Sequence, residues 1–164
     1  MMHKLDRRVF CVAVGLIGLG AGSIDVRAEE GAIRLGIVAQ MSGPNARYGS
    51  YSLRGAQLVV EEINNAGGIG GRKIAISSGD SQGTPVEGVS ATRRLIDLDK
   101  VDFIIGDVSS SVTLAMQPVA EDAGVLLLNA ASSNPKITYA AGVGGFKWTC
   151  RNYPTDDHRD QIRR

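Results

Sequence analysis

The chain has 164 residues, room for one domain with its own hydrophobic core and not comfortably for two. Its 18 Lys/Arg against 17 Asp/Glu leave a formal net charge of +1, and so even a mixture of signs carries no electrostatic footprint for nucleic acid or an anionic membrane surface. Only two cysteines are present, Cys11 and Cys150, and because Cys11 lies in an apolar N-terminal run expected to be removed, neither a disulfide nor a cysteine metal site is expected within the mature chain.

Residues 1–28 have the layout of a secretory signal. Lys4, Arg7 and Arg8 form a basic start, Val9 to Ala21 is apolar and Gly-rich, and Val26-Arg27-Ala28 offers small residues before a cut. The apolar run falls short of the roughly 20 residues needed to cross a bilayer, so a signal is favoured over an anchor. Arg7-Arg8 also fits a twin-arginine signal, although basic pairs open many ordinary secretory signals, and the general secretory route is the preferred reading. Cleavage would make Glu29 the first mature residue and leave 14 Lys/Arg against 15 Asp/Glu. The expected organisation is therefore a signal over 1–28, a single lobe over 29–164, and a destination outside the cytoplasm.

Strand-length apolar runs then alternate with helical patterns, the rhythm of a parallel sheet covered by helices on both faces, that is, a doubly wound α/β fold. Ile33 to Ala39 is mostly apolar without alternation, as a strand buried on both faces requires. A loop opens at Gly43-Pro44, and the spacing of Leu53, Ala56, Val60 and Ile63 predicts a helix from about Ser50 to Asn65, stopped by the glycines of Gly67 to Gly71. Lys73 to Ser78 is the second strand. Thr84-Pro85 with Glu87 reads as a capping box opening a helix whose Val89, Thr92, Leu95 and Ile96 face inward. Val101 to Ile105, Ser111 to Ala123 and Val125 to Leu128 are the third strand, the next helix and the fourth strand; a fifth strand is expected around Gly145 to Thr149, followed by Pro154 and a charged helical start.

In an open parallel sheet, ligands sit beyond the carboxyl ends of the strands, which directs attention to the loops after the first, third and fourth strands. After the first, Tyr48 either walls a ligand or packs under its own loop. After the third, Ser109-Ser110-Ser111 runs straight into a helix, whose free amides and dipole suit a carboxylate; one serine serves for capping alone, and three exceed that need. After the fourth, the backbone carbonyls of Asn129 to Pro135 and the Ser133 hydroxyl offer acceptors to an ammonium group, or these residues act only as turn formers. Neutral hydroxyls, backbone groups and one aromatic ring suit a zwitterionic or polar small molecule.

Enzyme chemistry finds little support. The mature chain has one histidine, His158, in a charged terminal stretch, and the serine turn lacks a strained nucleophile elbow. The glycines at 67–71 follow a helix and precede a strand, the reverse of a phosphate loop, so no nucleotide cofactor is expected. Asp156-Asp157-His158, adjacent in a helix start, cannot all face one metal ion.

Four ordered stretches carry a resemblance: MSGPNARYG (41–49), INNAGGIGGRKI (63–74), IIGDVSSSVT (104–113) and AEDAGVLLLNAASSNPKIT (120–138). Together they resemble the leucine/isoleucine/valine family of periplasmic solute-binding proteins, over residues 33 to about 160. The resemblance implies a type I periplasmic binding fold of two lobes, of which this chain supplies the N-terminal one. It implies an amino acid of the branched-chain type or a related solute as ligand, and the permease of an ABC transporter as partner. By the same resemblance Tyr48 lines the cleft, Ser110 meets the ligand carboxylate, and Ala131 and Ser133 meet its carboxylate and ammonium, with Ser109, Ser111 and Ser132 as further candidates. A sensor domain of the same fold, or a truncated fragment without function, is the alternative.

Overall fold

The computed structural model describes residues 31–139 and 145–158. The expected signal and Arg159 to Arg164 lie outside the described residues. Five strands form one sheet, β1 (Ile33–Ala39), β2 (Ile74–Asp80), β3 (Phe103–Ile105), β4 (Leu126–Asn129) and β5 (Thr149–Arg151), with helices α1 (Ala46–Asn65), α2 (Pro85–Asp97) and α3 (Ser110–Ala123) between them. The strand order is β2-β1-β3-β4-β5 and every pairing is parallel. The winding reverses between β1 and β3, so α1 covers one face and α2 and α3 the other, as right-handed crossovers demand.

Two cores result. Val38, Leu95, Ile104, Val112, Met116 and Leu127 are sealed between the sheet and the α2–α3 pair, all wholly inaccessible. On the opposite face Leu35, Ile37 and Ala39 meet the α1 stripe Leu53, Ala56, Val60 and Ile63, as the helical spacing anticipated. Each fully buried aliphatic side chain contributes about 1.5–3 kcal/mol.

Most expected elements lie within a residue or two of where the pattern put them, with three instructive differences. First, α1 begins at Ala46, not Ser50. No apolar periodicity marks Ala46 to Gly49; the turn is closed instead by backbone bonds, the Ala46 amide donating to the Gly43 carbonyl at 3.2 Å and that of Tyr48 to the Asn45 carbonyl at 2.9 Å. Second, Thr84 caps α2 by accepting from the Glu87 amide at 3.3 Å, but the Thr84 amide donates to the Ser81 carbonyl at 2.9 Å, so the capping box is one-sided. Third, β5 is Thr149–Arg151, centred three residues past the middle of the expected Gly145 to Thr149, because its register against Leu127 to Asn129 is set by the sheet edge and not by local composition. At the end of α1 the glycine stop holds as read: Gly68 (φ +82°) donates from its amide to the Ile63 carbonyl at 2.8 Å.

Candidate functional site

The carboxyl ends of β1, β2, β3 and β4 all point to one edge of the sheet, and the loops leaving them are tied together by a buried polar network. Asp107, wholly buried after β3, is its centre. Its carboxylate accepts from the Ser81 hydroxyl, which comes from the loop after β2, and from the Ser109 amide at 2.7 Å. Its backbone carbonyl accepts from the hydroxyls of Thr113 on α3, at 3.2 Å, and Ser132 after β4, at 2.7 Å. Asn129 holds the β4 loop in turn, accepting from the Ser132 amide at 2.8 Å and donating to the Ser132 carbonyl at 2.8 Å. Buried polar groups satisfied this fully rigidify what they join.

Arg151 of β5 completes the frame. Its guanidinium donates to the Thr138 hydroxyl at 3.0 Å and to the carbonyls of Ser132 and Asn134. Burial draws its pKa below the ordinary arginine value, while the charge of Asp156 acts in the opposite sense.

On the β1–β2 side Asp80 plays the equivalent part. One carboxylate oxygen accepts from the amides of Met41 at 2.8 Å, Ser42 at 3.3 Å and Gln82 at 2.8 Å. Desolvation is the largest single influence and raises the Asp80 pKa, but the Ser42 side chain and the Gln82, Met41 and Ser42 amides together outweigh it and hold the carboxyl below its ordinary range. A carboxyl depressed in the folded state stabilises fully above its unfolded pKa of about 4, and that contribution is lost as the pH falls through the lower folded value. The melting-temperature gap between the wild type and Asp80→Asn should therefore be widest near neutrality and shrink below about pH 4. Thermal melts at several pH values check this, and a gap that does not narrow in acid contradicts it.

Two adjoining hollows open at this edge. One, of about 400 Å³, is lined by Gln40, Asn45, Tyr48, Gly83, Val108 and Ser109. The other, of about 280 Å³, is mainly apolar and includes Ile37, Ala56, Ile105, Val108, Ala130 and Ala131. Val108 borders both. A larger hollow, about 490 Å³, lies between α2 and α3 and is lined by Pro85, Val86, Val89, Ser90, Arg93 and Ala115.

The sequence-derived residues are distributed over this edge as follows. Tyr48 stands on the first turn of α1 and not in the loop; it is half exposed, with the Arg47 guanidinium 5.2 Å from its ring centroid. Ser109 is the residue before α3, but its side chain makes no capping bond and instead lies 3.0 Å from the Ser111 hydroxyl. The first amides of α3 are thereby left without a side-chain cap. Ser110 does not line either hollow; its hydroxyl oxygen accepts from the Asn134 amide at 3.3 Å, joining the start of α3 to the β4 loop and leaving the hydroxyl proton free to donate. Ala131 lines the apolar hollow, and its amide donates to Asn129 Oδ1 at 3.3 Å. Ser132 is wholly buried and serves the network. Ser133 is partly buried, its carbonyl accepting from the Asp156 amide at 3.0 Å.

Sequence reasoning passed over Gln40, Asn45 and Gly83, which line the polar hollow, and Asp80, Asp107, Asn129 and Arg151, which build its frame. Two signals were available: Asp80 and Asp107 are single acids at the carboxyl ends of β2 and β3, each following a glycine, and the loop after β2 belongs to the same sheet edge as the three that were inspected.

Comparison with known proteins places this geometry. The family model described as periplasmic binding protein matches residues 32–153. A Leu/Ile/Val-binding protein homolog of Brucella abortus is 38% identical over 106 residues, 65% of this chain and 28% of that protein. An amino acid binding protein of Pseudomonas aeruginosa is 34% identical over 154 residues, 93% of this chain and 40% of that protein. Among solved structures, the branched-chain amino acid transporter substrate-binding protein LivJ of Streptococcus pneumoniae, in complex with isoleucine, is similar at a TM-score of 0.70 and 32% identity, covering 76% of this chain and 34% of that one. A type 1 periplasmic binding protein of Bordetella pertussis is similar at a TM-score of 0.68 and 26% identity, covering 77% of this chain and 35% of that one. This chain thus spans between about a quarter and two fifths of the length of these relatives. Because the match runs through every described strand and helix from β1 to β5, this chain belongs to the periplasmic binding protein family.

Proposed function

We propose that this chain is the N-terminal ligand-binding lobe of an exported solute-binding protein, which takes up an amino acid or a related small polar solute and presents it to the permease of an ABC transporter. The observation that carries the reading is the convergence of Tyr48, Ser109 and the uncapped start of α3 on one hollow at the point where the sheet reverses its winding. In this reading the α3 amides and the Ser110 hydroxyl receive the solute's carboxylate, and the carbonyl of Ala131 with the hydroxyl of Ser133 receives its ammonium. Tyr48 closes the side, with Ser109, Ser111 and Ser132 in support. Residues 1–28 act as the export signal and 29–164 as the lobe. No catalytic step is assigned to any of these groups. The names and bound ligands of the relatives, leucine-specific binding in Salmonella typhimurium and isoleucine in Streptococcus pneumoniae, point to the same ligand class.

A surface presented from one side leaves much of a bound solute wet and half its polar groups unpaired, so affinity is expected to be weak, in the millimolar range. Calorimetric or NMR titration of the chain with leucine, valine and polar amino acids measures this. Ser110→Ala should weaken binding roughly ten-fold, the loss of one hydrogen bond to a charged group. Tight binding by the monomer would refute the one-sided account.

A further inference from the structure

The solute-binding reading leaves the ligand's own side chain open, and one residue of the hollow bears on it. Gln40, the residue after β1, is only 5% exposed, yet its carboxamide has no hydrogen-bond partner among the described residues. Its polar atoms are not sealed off but face the hollow that Gln40 lines, where water meets them until a solute enters and takes its place.

The neighbours of Gln40 hold it in place. Gly83 stands so close that a Cβ there would lie 2.7–2.8 Å from the amide carbon, nitrogen and oxygen of Gln40, which closes off one direction of rotation. Around the same hollow stand a second carboxamide, Asn45, the phenol of Tyr48 and the hydroxyl of Ser109, with Val108 as the one aliphatic member. None of the lining groups is an acid or a base. A branched alkyl group seated here would bury the Gln40 amide without a partner, whereas a neutral group that both donates and accepts would satisfy it.

We infer that Gln40 is a specificity-determining residue that selects a solute bearing a neutral hydrogen-bonding group, such as a carboxamide or hydroxyl, over one bearing a branched aliphatic side chain. This rests on the solute-binding reading and narrows it. Polar sites discriminate in this way because the wrong ligand strands a buried polar group.

The test is NMR or calorimetric titration of the full chain with L-glutamine and L-leucine, before and after replacing Gln40. The wild type should bind glutamine at least ten-fold more tightly than leucine. Gln40→Met, similar in length and without the amide, should abolish or invert that preference, with circular dichroism confirming its fold. Gln40→Glu, which keeps the shape and replaces the NH₂ donor with charge, should lose affinity for glutamine without gaining any for leucine. Should Gln40→Met fail to fold, Gln40→Glu carries the test alone. Leucine bound as tightly as glutamine by the wild type, or an unchanged preference in a folded variant, overturns the role of Gln40 while leaving solute binding intact. No binding of either probe, or of the other amino acids titrated, overturns both.

Discussion

Gly49→Ala should destabilise the protein by about 3 kcal/mol, in the upper range for a clash in a well-packed interior. A Cβ at position 49 would stand 2.0 Å from the carbonyl oxygen of Gln40, 2.5 Å from its carbon and 3.0 Å from its nitrogen. These are backbone atoms at the end of β1, so no rotamer change relieves the overlap. Helix α1 would have to slide away from the strand, opening the seam in which Leu53, Ala56, Val60 and Ile63 meet β1 and β2. The same displacement would separate Tyr48 from Gln40, so solute binding should fall along with stability. Gly55 supplies the control. It lies in the middle of the same helix, and a Cβ there meets nothing within 4 Å. Gly55→Ala should therefore stabilise by about 0.5–1 kcal/mol, the helix-propensity gain. Urea denaturation of both variants separates the two effects, and equal shifts of the same sign would show that the close approach of α1 to β1 does not govern position 49.

The second large effect is expected at Asp107. Truncation to alanine removes two acceptors at once, stranding the buried Ser81 hydroxyl and leaving the half-buried Ser109 amide unpaired. Hydrogen bonds to a charged group are worth about 1.5–3 kcal/mol, and the relief of burying a carboxylate offsets part of the sum, so a net loss of about 3 kcal/mol is expected for Asp107→Ala. Asp107→Asn retains the shape and one carbonyl acceptor and should lose about half as much. The loops after β2, β3 and β4 are joined through this residue and its neighbours Thr113 and Ser132, so the alanine variant should also show faster amide exchange at Ser81 to Thr84 and at Ala130 to Ser133. Equal stability of wild type and Asp107→Ala would remove the network from any account of how the site is held.

Both positions show what a linear reading leaves out. Gly49 looks from the sequence like one glycine at the edge of a loop, and Asp107 like a polar residue trailing a strand. Their weight comes from atoms far along the chain, the Gln40 carbonyl for one and Ser81 for the other. The start of α1 was misplaced for a related reason: hydrophobic spacing registers only turns that bury apolar side chains, and the first turn of α1 is closed by backbone bonds and its contact with β1.

What the amino-acid order determined by itself is the set of properties that depend on near neighbours. Unalternating apolar runs require strands buried on both faces, the 3.6-residue spacing sets the inward stripe of each helix, and Thr84-Pro85 and Gly67 to Gly71 start and stop helices through local bonding. The alternation of these elements then implies a parallel sheet, and with it the edge at which a ligand sits. Tertiary structure alone decided which side chains meet at that edge. It placed Tyr48 on a helix, turned Ser132 inward and Ser110 toward Asn134, and brought Gln40 and Gly83, 43 positions apart, to one wall. Such pairings follow from strand order and crossover direction, which join distant segments, and no local pattern encodes a contact whose two halves belong to different strands.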